Sequence, residues 1–418
     1  MRAGSLLAAM LILGMAASCT STTTSSAKAV ATPVLNGDEP LETRARNAKD
    51  NFPAFPDQTR APGIRHGVPV EVQTVAHGLN MPWAVEPLPD GRFLVTEKPG
   101  ALRIVSANGT ISPPVAGVPA VRNSGQGGLL DIALDPAFKA NHVIFFCYSE
   151  QRVGGNGVTL ARARLVEDAG GAHLEDLQVI FRALPTIDSD RQLGSRIAFD
   201  KAGKLYLTVG ERGIDSAVGQ AQNLGSHFGK IVRLNADGSV PADNPFVGRS
   251  DALPEIWTWG HRDPQSLAVD PFTDKVWSIE HGPRGGDELN LLKRGANYGW
   301  PIICYGIDYP GTKIGAGITQ MEGMEQPVYY WDPVIAPSGM LIYSGAMFPE
   351  WKGSVFVGGL SGAKLVRLQM KNDRVVGEEW FLQDKNSRIR DVQQGPDGAV
   401  YAVTETGTDS ALLRISRK

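Results

Sequence analysis

A chain of 418 residues, 42% hydrophobic and 20% charged, is long enough to bury one large core. Its formal net charge of −3 excludes the strong basic surplus that nucleic acids or anionic membranes select, so neither is expected as the main partner. The 48 glycines and 28 prolines favour a turn-rich β fold over a helical one.

Residues 1–18 read as an export signal. Arg2 supplies the charged n-region, residues 6–15 an apolar stretch too short to span a bilayer, and Ala16-Ala17-Ser18 the small residues before a cut. Cys19 follows, as in bacterial lipoproteins. The mature protein is therefore expected to be periplasmic, either lipid-anchored through Cys19 or freely soluble after ordinary cleavage nearby. Residues 19–63 are rich in Ser, Thr, Ala and Pro without an apolar period and are expected to form a flexible tether. That leaves 64–418 for the folded domain.

Along this domain a polar turn followed by a short alternating strand recurs six times. The copies begin at Pro89-Asp-Gly, Asp135-Pro, Asp200-Lys-Ala-Gly, Asp270-Pro, Trp351-Lys-Gly and Pro396-Asp-Gly. A four-stranded unit of this kind cannot bury both faces alone, so the copies must stack in a ring. The expectation is an all-β, six-bladed β-propeller. Uneven spacing implies long loops after the third and fourth copies, where sites are commonly built. Cys147 lies in an apolar run (143–147) and reads as core packing; a disulfide with Cys304 stays open.

Two spans in the middle carry the chemistry. Gly260-His-Arg-Asp-Pro-Gln265 offers a guanidinium and an amide from a tight turn. Glu280-His-Gly-Pro-Arg-Gly-Gly-Asp-Glu-Leu-Asn290, running on to Asn297-Tyr-Gly-Trp-Pro301, sets carboxylates beside turns whose free carbonyls suit a hard cation such as calcium. A solvated acidic turn that binds nothing is the plain alternative.

These spans, with Gly125-Gln-Gly-Gly-Leu-Leu130, Gly194-Ser-Arg-Ile-Ala-Phe-Asp200, Gly229-Lys-Ile-Val-Arg-Leu-Asn235 and Arg388-Ile-Arg-Asp391, occur in an order that resembles the soluble PQQ-dependent aldose sugar dehydrogenases, also called the glucose/sorbosone dehydrogenase family. The resemblance runs from about residue 72 to the C-terminus and implies a six-bladed propeller with pyrroloquinoline quinone, a tricarboxylate ortho-quinone, bound at one end. It implies that Arg262, Arg388 and Arg390 meet the carboxylates, as forked guanidiniums suit planar anions. Asp263, Gln265, Gln126 and His281 are implied near the cofactor, Gln126 facing cofactor or sugar. The carbonyls of Gly282 and Pro283 match those holding a calcium against the quinone, and Glu288 and Tyr298 a second, structural calcium, with Asp287 beside it.

The resemblance breaks at three places. Gln192 stands where the family has its general base, a histidine, and an amide has no useful basicity near neutral pH. Ser361 stands at the family's cofactor-binding lysine, with Lys364 three residues on (364 − 361) as a displaced substitute. Asp263 replaces an asparagine. Glu211 matches the acid that orients the usual base and could serve as base if burial raised its pKa; Asp188 and Asp190 are further candidates, and His227 reads as structural. The leading expectation is an exported dehydrogenase that oxidises an aldose at C1 to the lactone, passing electrons to an external acceptor. The alternative is a non-catalytic propeller that binds a sugar or other ligand in the same cleft. A metal-dependent lactonase would need ligands from several blades, and the clustering of Asp287, Glu288 and Tyr298 on one span argues against it.

Overall fold

The computed structural model describes residues 39–65 and 67–418; the expected export signal and Cys19 lie outside them. The first strand, β1 (Val70–Leu79), is followed by blade one, β2 (Pro82–Pro87), β3 (Phe93–Glu97) and β4 (Ala101–Val105). Blade two is β5 (Leu129–Leu134), β6 (Val143–Arg152), β7 (Gly155–Asp168) and β8 (Gly171–Arg182). Blade three is β9 (Gly194–Phe199), β10 (Leu205–Val209), β11 (Lys230–Leu234) and β12 (Ile256–Trp259). Blade four is β13 (Pro264–Val269), β14 (Val276–Glu280), β15 (Asp287–Leu291) and β16 (Tyr329–Trp331). Blade five is β17 (Pro337–Ile342), β18 (Val355–Gly359), β19 (Lys364–Lys371) and β20 (Arg374–Phe381), and blade six is β21 (Arg388–Gln394), β22 (Val400–Glu405) and β23 (Ser410–Arg417).

Strand β1 pairs antiparallel with β23, Val72 opposite Ile415, so the start of the domain completes the last blade and closes the ring. The structure is the expected six-bladed propeller. Middle strands such as β10 (Leu-Tyr-Leu-Thr-Val) are buried at every position because both faces meet neighbouring blades. The largest apolar cluster runs from Trp83 through Phe145 to Leu207, across blades one to three.

All six repeated turns fall between the first and second strand of a blade. Asp90-Gly91 is one: Gly91 takes φ 88°, which favours glycine. In an up-and-down blade those turns share one face of the ring. The second-to-third turns and the inter-blade connections share the other face, which holds the motif loops.

Charged side chains fill the axis. Arg196 on β9 donates from Nε to the Gln265 carbonyl (2.8 Å), from Nη1 to Asp131 (2.9 Å) and from Nη2 to the Arg390 carbonyl (3.2 Å). Asp391 lies 3.1 Å from Nη1, and the guanidinium stacks 4.1 Å over Trp83. One side chain thus ties together the inner strands of blades one, two, three, four and six.

One expectation is corrected and one open point is closed. The flexible tether does not reach residue 63, because residues 39–63 lie against blades four and five. Ala48, Gln58 and Ala61 are buried, and the Asp332 carboxylate accepts from the backbone N–H of Asn47 (2.8 Å) and Ala48 (2.9 Å). The segment is held mainly by polar groups, which leave no apolar period to read. The possible disulfide is also absent: Cys147 and Cys304 are separate, buried free thiols.

Candidate active site

A cleft of about 780 Å³ opens on the motif-bearing face. Gln126 enters it from the loop between blades one and two, Asp190 and Gln192 from the next loop, and Glu211 from the β10–β11 loop. Arg262 comes from the connection between blades three and four, Pro283 from the β14–β15 turn, and Trp300, Asp308, Tyr309 and Lys313 from the long β15–β16 loop.

Gln192 is buried with φ 47°, packed against Gly213, where a Cβ would lie 3.0 Å from the Gln192 amide carbon. Its backbone N–H donates to Gln126 Oε1, and its own Oε1 has no partner. Glu211 is held by its backbone N–H to the Arg262 carbonyl (2.8 Å) and accepts at Oε2 from the Gly213 N–H (3.0 Å). Burial pushes its carboxyl up to about 7, against the opposing pull of Arg262.

Arg262 is aimed from behind. Glu280 accepts the Arg262 backbone N–H (2.6 Å) and meets His261 Nδ1 (2.9 Å). Nη1 of Arg262 donates to the carbonyls of His281 and Gly282, each at 3.1 Å, and the guanidinium lies 5.3 Å over Trp300.

Other expected residues sit elsewhere. Asp263 faces inward, its Oδ1 accepting from the Gly194 N–H (3.1 Å) and Gln265 Nε2 (3.0 Å), so this pair braces the wall. His281 donates from Nε2 to the Pro337 carbonyl (2.6 Å), with Nδ1 3.9 Å from Asp263. His227, as expected for a structural residue, takes the Leu184 N–H on Nδ1 (3.0 Å). Asp188 pairs with Arg122 at 2.7 Å.

Arg388 and Arg390 stand on the same face but do not line the cleft beside Arg262. Arg388 is exposed and pairs with Glu405 (3.2 Å); Arg390 is buried, 3.9 Å from Glu405 and 5.1 Å over Trp83. Burial lowers the Arg390 pKa to about 10, with Glu405 opposing and Arg196 and Arg388 reinforcing the shift. Sequence reasoning missed a third cation here. Lys98 on the β3–β4 turn is buried, donates to the Gly125 carbonyl (2.8 Å), and has its pKa lowered by burial and by Arg390. Its only sequence signal is a Glu-Lys-Pro-Gly turn. Lys364 does not reach the site, because its Nζ sits 3.1 Å over the Trp380 ring.

Behind Arg262 lies a hollow of about 10 Å³, room for one water-sized group. Glu288, Tyr298 and Cys304 line it with Glu280, the cross-strand partner of Glu288. Burial, reinforced by Glu280, pushes the Glu288 carboxyl well up. The Tyr298 hydroxyl donates to the Leu291 carbonyl (2.6 Å) and accepts the Lys293 N–H (2.9 Å). Among the described residues no cluster of three or more His, Cys, Asp or Glu is arranged to hold a metal.

Three buried polar atoms of residues that line the cleft lack partners: Nε of Arg262, Oε1 of Gln192 and Nε1 of Trp300. Buried groups are ordinarily satisfied, so these donors and acceptors fit a polar ligand. An unpaired guanidinium N–H and an unpaired amide oxygen match an anionic cofactor and a hydroxylated substrate.

The closed six-bladed ring carries an arginine-bearing cleft above a charged axis, and sequence comparison gives its family. The glucose/sorbosone dehydrogenase family model matches residues 79–414, and the chain belongs to that family. The aldose sugar dehydrogenase YliI of Escherichia coli is 39% identical over 350 residues, covering 83% of this chain and 93% of that one. The apo crystal structure of the soluble aldose sugar dehydrogenase from Escherichia coli superimposes with a TM-score of 0.79 at 38% identity, covering 84% of this chain and all of the other (100%). The PQQ-bound aldose sugar dehydrogenase from Streptomyces coelicolor gives 0.67 at 30% identity, covering 84% and 99%.

Proposed function

We propose that this protein is an exported aldose dehydrogenase that uses PQQ with calcium, takes a sugar at C1 to the lactone, and hands electrons to an external acceptor. The observation that carries the reading is Glu211: a buried carboxyl raised to about 7, in the cleft that also holds Arg262 and the unpaired Gln192 amide oxygen.

Arg262 would hold a cofactor carboxylate from within the cleft, and Arg390 and Lys98, with Arg388 at the rim, would add positive charge from blades six and one. The Pro283 carbonyl, with the Gly282 carbonyl that Arg262 also uses, is the oxygen set for calcium; Glu288 and Tyr298 remain the set for a second ion. When bound, the quinone supplies a hydride acceptor, and the ion polarises its carbonyl.

The chain's own residues divide the remaining work. Gln192 Oε1 accepts a sugar hydroxyl proton as a hydrogen bond and orients the ring without deprotonating it. Glu211, ionised above about pH 7, takes the C1 hydroxyl proton on a carboxylate oxygen. Arg262 restrains that basicity, and Trp300 and Tyr309 offer apolar faces to the sugar. Dye reduction by the PQQ- and calcium-loaded protein with a panel of aldoses tests the reading. Absence of turnover in the wild type, with turnover gained by Gln192→His, would leave a binding propeller in place of an enzyme. Export rests on residues 1–19, and radioactive fatty acid carried by the mature chain is the expected sign of an anchor at Cys19.

A further inference from the structure

The outer wall of the cleft is the connection between β15 and β16, long and without strands of its own. Connections of that length are mobile unless something ties them. Within the fold this one is tied by isolated bridges, including Arg284 to Ile307, whose paired N–H···O bonds measure 3.1 and 3.0 Å. Arg284 follows Pro283 directly, so the bridge couples the wall to the turn at the cleft.

The N-terminal segment grips the same place from outside. Asn51 Nδ2 faces the carbonyls of Cys304 (3.3 Å), Tyr305 (3.0 Å) and Gly306 (3.4 Å). Gln58 is fully buried and donates from Nε2 to the Pro327 carbonyl (2.8 Å), while its Oε1 lies 3.1 Å from the Tyr305 hydroxyl. Asp332 anchors the other end through the Asn47 and Ala48 N–H groups. The segment precedes the span matched by the family model, which begins at residue 79.

We propose that residues 47–58 form a positioning strap that fixes the cleft wall at Cys304–Ile307 and through it sets affinity for the aldose. The affinity part rests on the dehydrogenase reading; the positioning part does not. Asn51 is a positioning residue, since it reaches the cleft only through the carbonyls it holds.

The test uses the full chain and the variants Asn51→Ala and Asn51→Asp. Hydrogen exchange without cofactor should quicken at least about fivefold at residues 303–315 in Asn51→Ala, with blades one and two unchanged. In the PQQ- and calcium-loaded protein, KM for D-glucose should rise about tenfold with kcat held within about twofold, the signature of lost ground-state positioning. Asn51→Asp, the same size but acceptor-only against three carbonyls, should exceed Asn51→Ala in both readouts. Unchanged exchange overturns the strap. Faster exchange with unchanged KM overturns its role in affinity. A wild type without aldose turnover would sink the dehydrogenase reading instead, and the exchange result would still decide the strap.

Discussion

The axis and the cleft rim are built from the same residue types and differ in how their arginines are held. On the axis, every guanidinium nitrogen of Arg196 has a partner, and two carboxylates, from blades two and six, close around it. At the rim, Arg262 and Arg390 each keep an unpaired Nε, and Gln192 an unpaired amide oxygen. Burial is similar in both places, so burial alone does not tell structure from function. What separates them is how the arginine is held: the Arg196 guanidinium is hydrogen-bonded at all three nitrogens, whereas Arg262 keeps a free Nε, although Asp391 Oδ1 and Gln265 Oε1 on the axis also lack hydrogen-bond partners.

The largest effect should come from breaking the axial charge cluster. Arg196→Ala leaves Asp131 and Asp391 buried without their shared cation, a change expected to cost about 3–5 kcal/mol. Urea unfolding should show that loss, and a loss below about 1 kcal/mol would mean the axis is wet enough to screen its charges.

Glu211→Gln should do the opposite. Its carboxyl rises from 4.5 to about 7 on folding, so the native state holds the proton more tightly than the unfolded chain. Stability is therefore fully present below pH 4.5 and declines as pH climbs to about 7. The variant loses that decline and should melt higher than wild type at pH 8. Meanwhile kcat should fall by about 10²–10⁴-fold. In the wild type, turnover should rise with pH through about 7, and a profile flat across that range would remove Glu211 as the base.

Arg262→Ala tests the rim as a ligand site. Calorimetry with PQQ in calcium buffer should show affinity lower by about 100-fold, from a lost charge-assisted contact of roughly 2–3 kcal/mol. Arg262→Lys should recover only part of it, because the ammonium cannot reproduce the fork. Affinity unchanged in both would place the anion site elsewhere, with Lys98, Arg388 and Arg390.

The repeated polar turns, two of the six Asp-Gly, are readable because tight connections between strands favour such residues, yet they mark the face away from the cleft. Gln126, Gln192, Glu211, Arg262 and Pro283 could be named from motifs and do meet in one cleft. Their neighbours could not. Lys98 is a single residue in a common turn, and Tyr309 and Lys313 sit in a loop without periodicity. Lys98 reaches the rim only because blade one packs between blades two and six. The strap escaped notice because hydrogen bonds to backbone carbonyls impose no pattern on sequence. Arg388 is the opposite case: the resemblance put it with Arg390, but the strand emerges at the surface there, and Glu405 pairs with it.

Lys364 should show the smallest effect and sharpens the comparison from outside both regions. Proximity in sequence to the missing family lysine made it a candidate, whereas its ammonium lies on Trp380, 3.1 Å from the ring centroid. Lys364→Met should therefore leave PQQ affinity within about twofold of wild type; a larger loss would show that the β18–β19 loop swings toward the cleft. Burial lowers the lysine from 10.5 to about 8 in the folded protein, so between those values the unfolded chain binds the extra proton. Stability contributed by this group must then rise as pH climbs from about 8 to 10.5. Subtracting the Lys364→Met melting curve from that of wild type isolates the slope from other alkaline titrations. A difference with no rise across that window would mean that the cation–π contact compensates the desolvation completely.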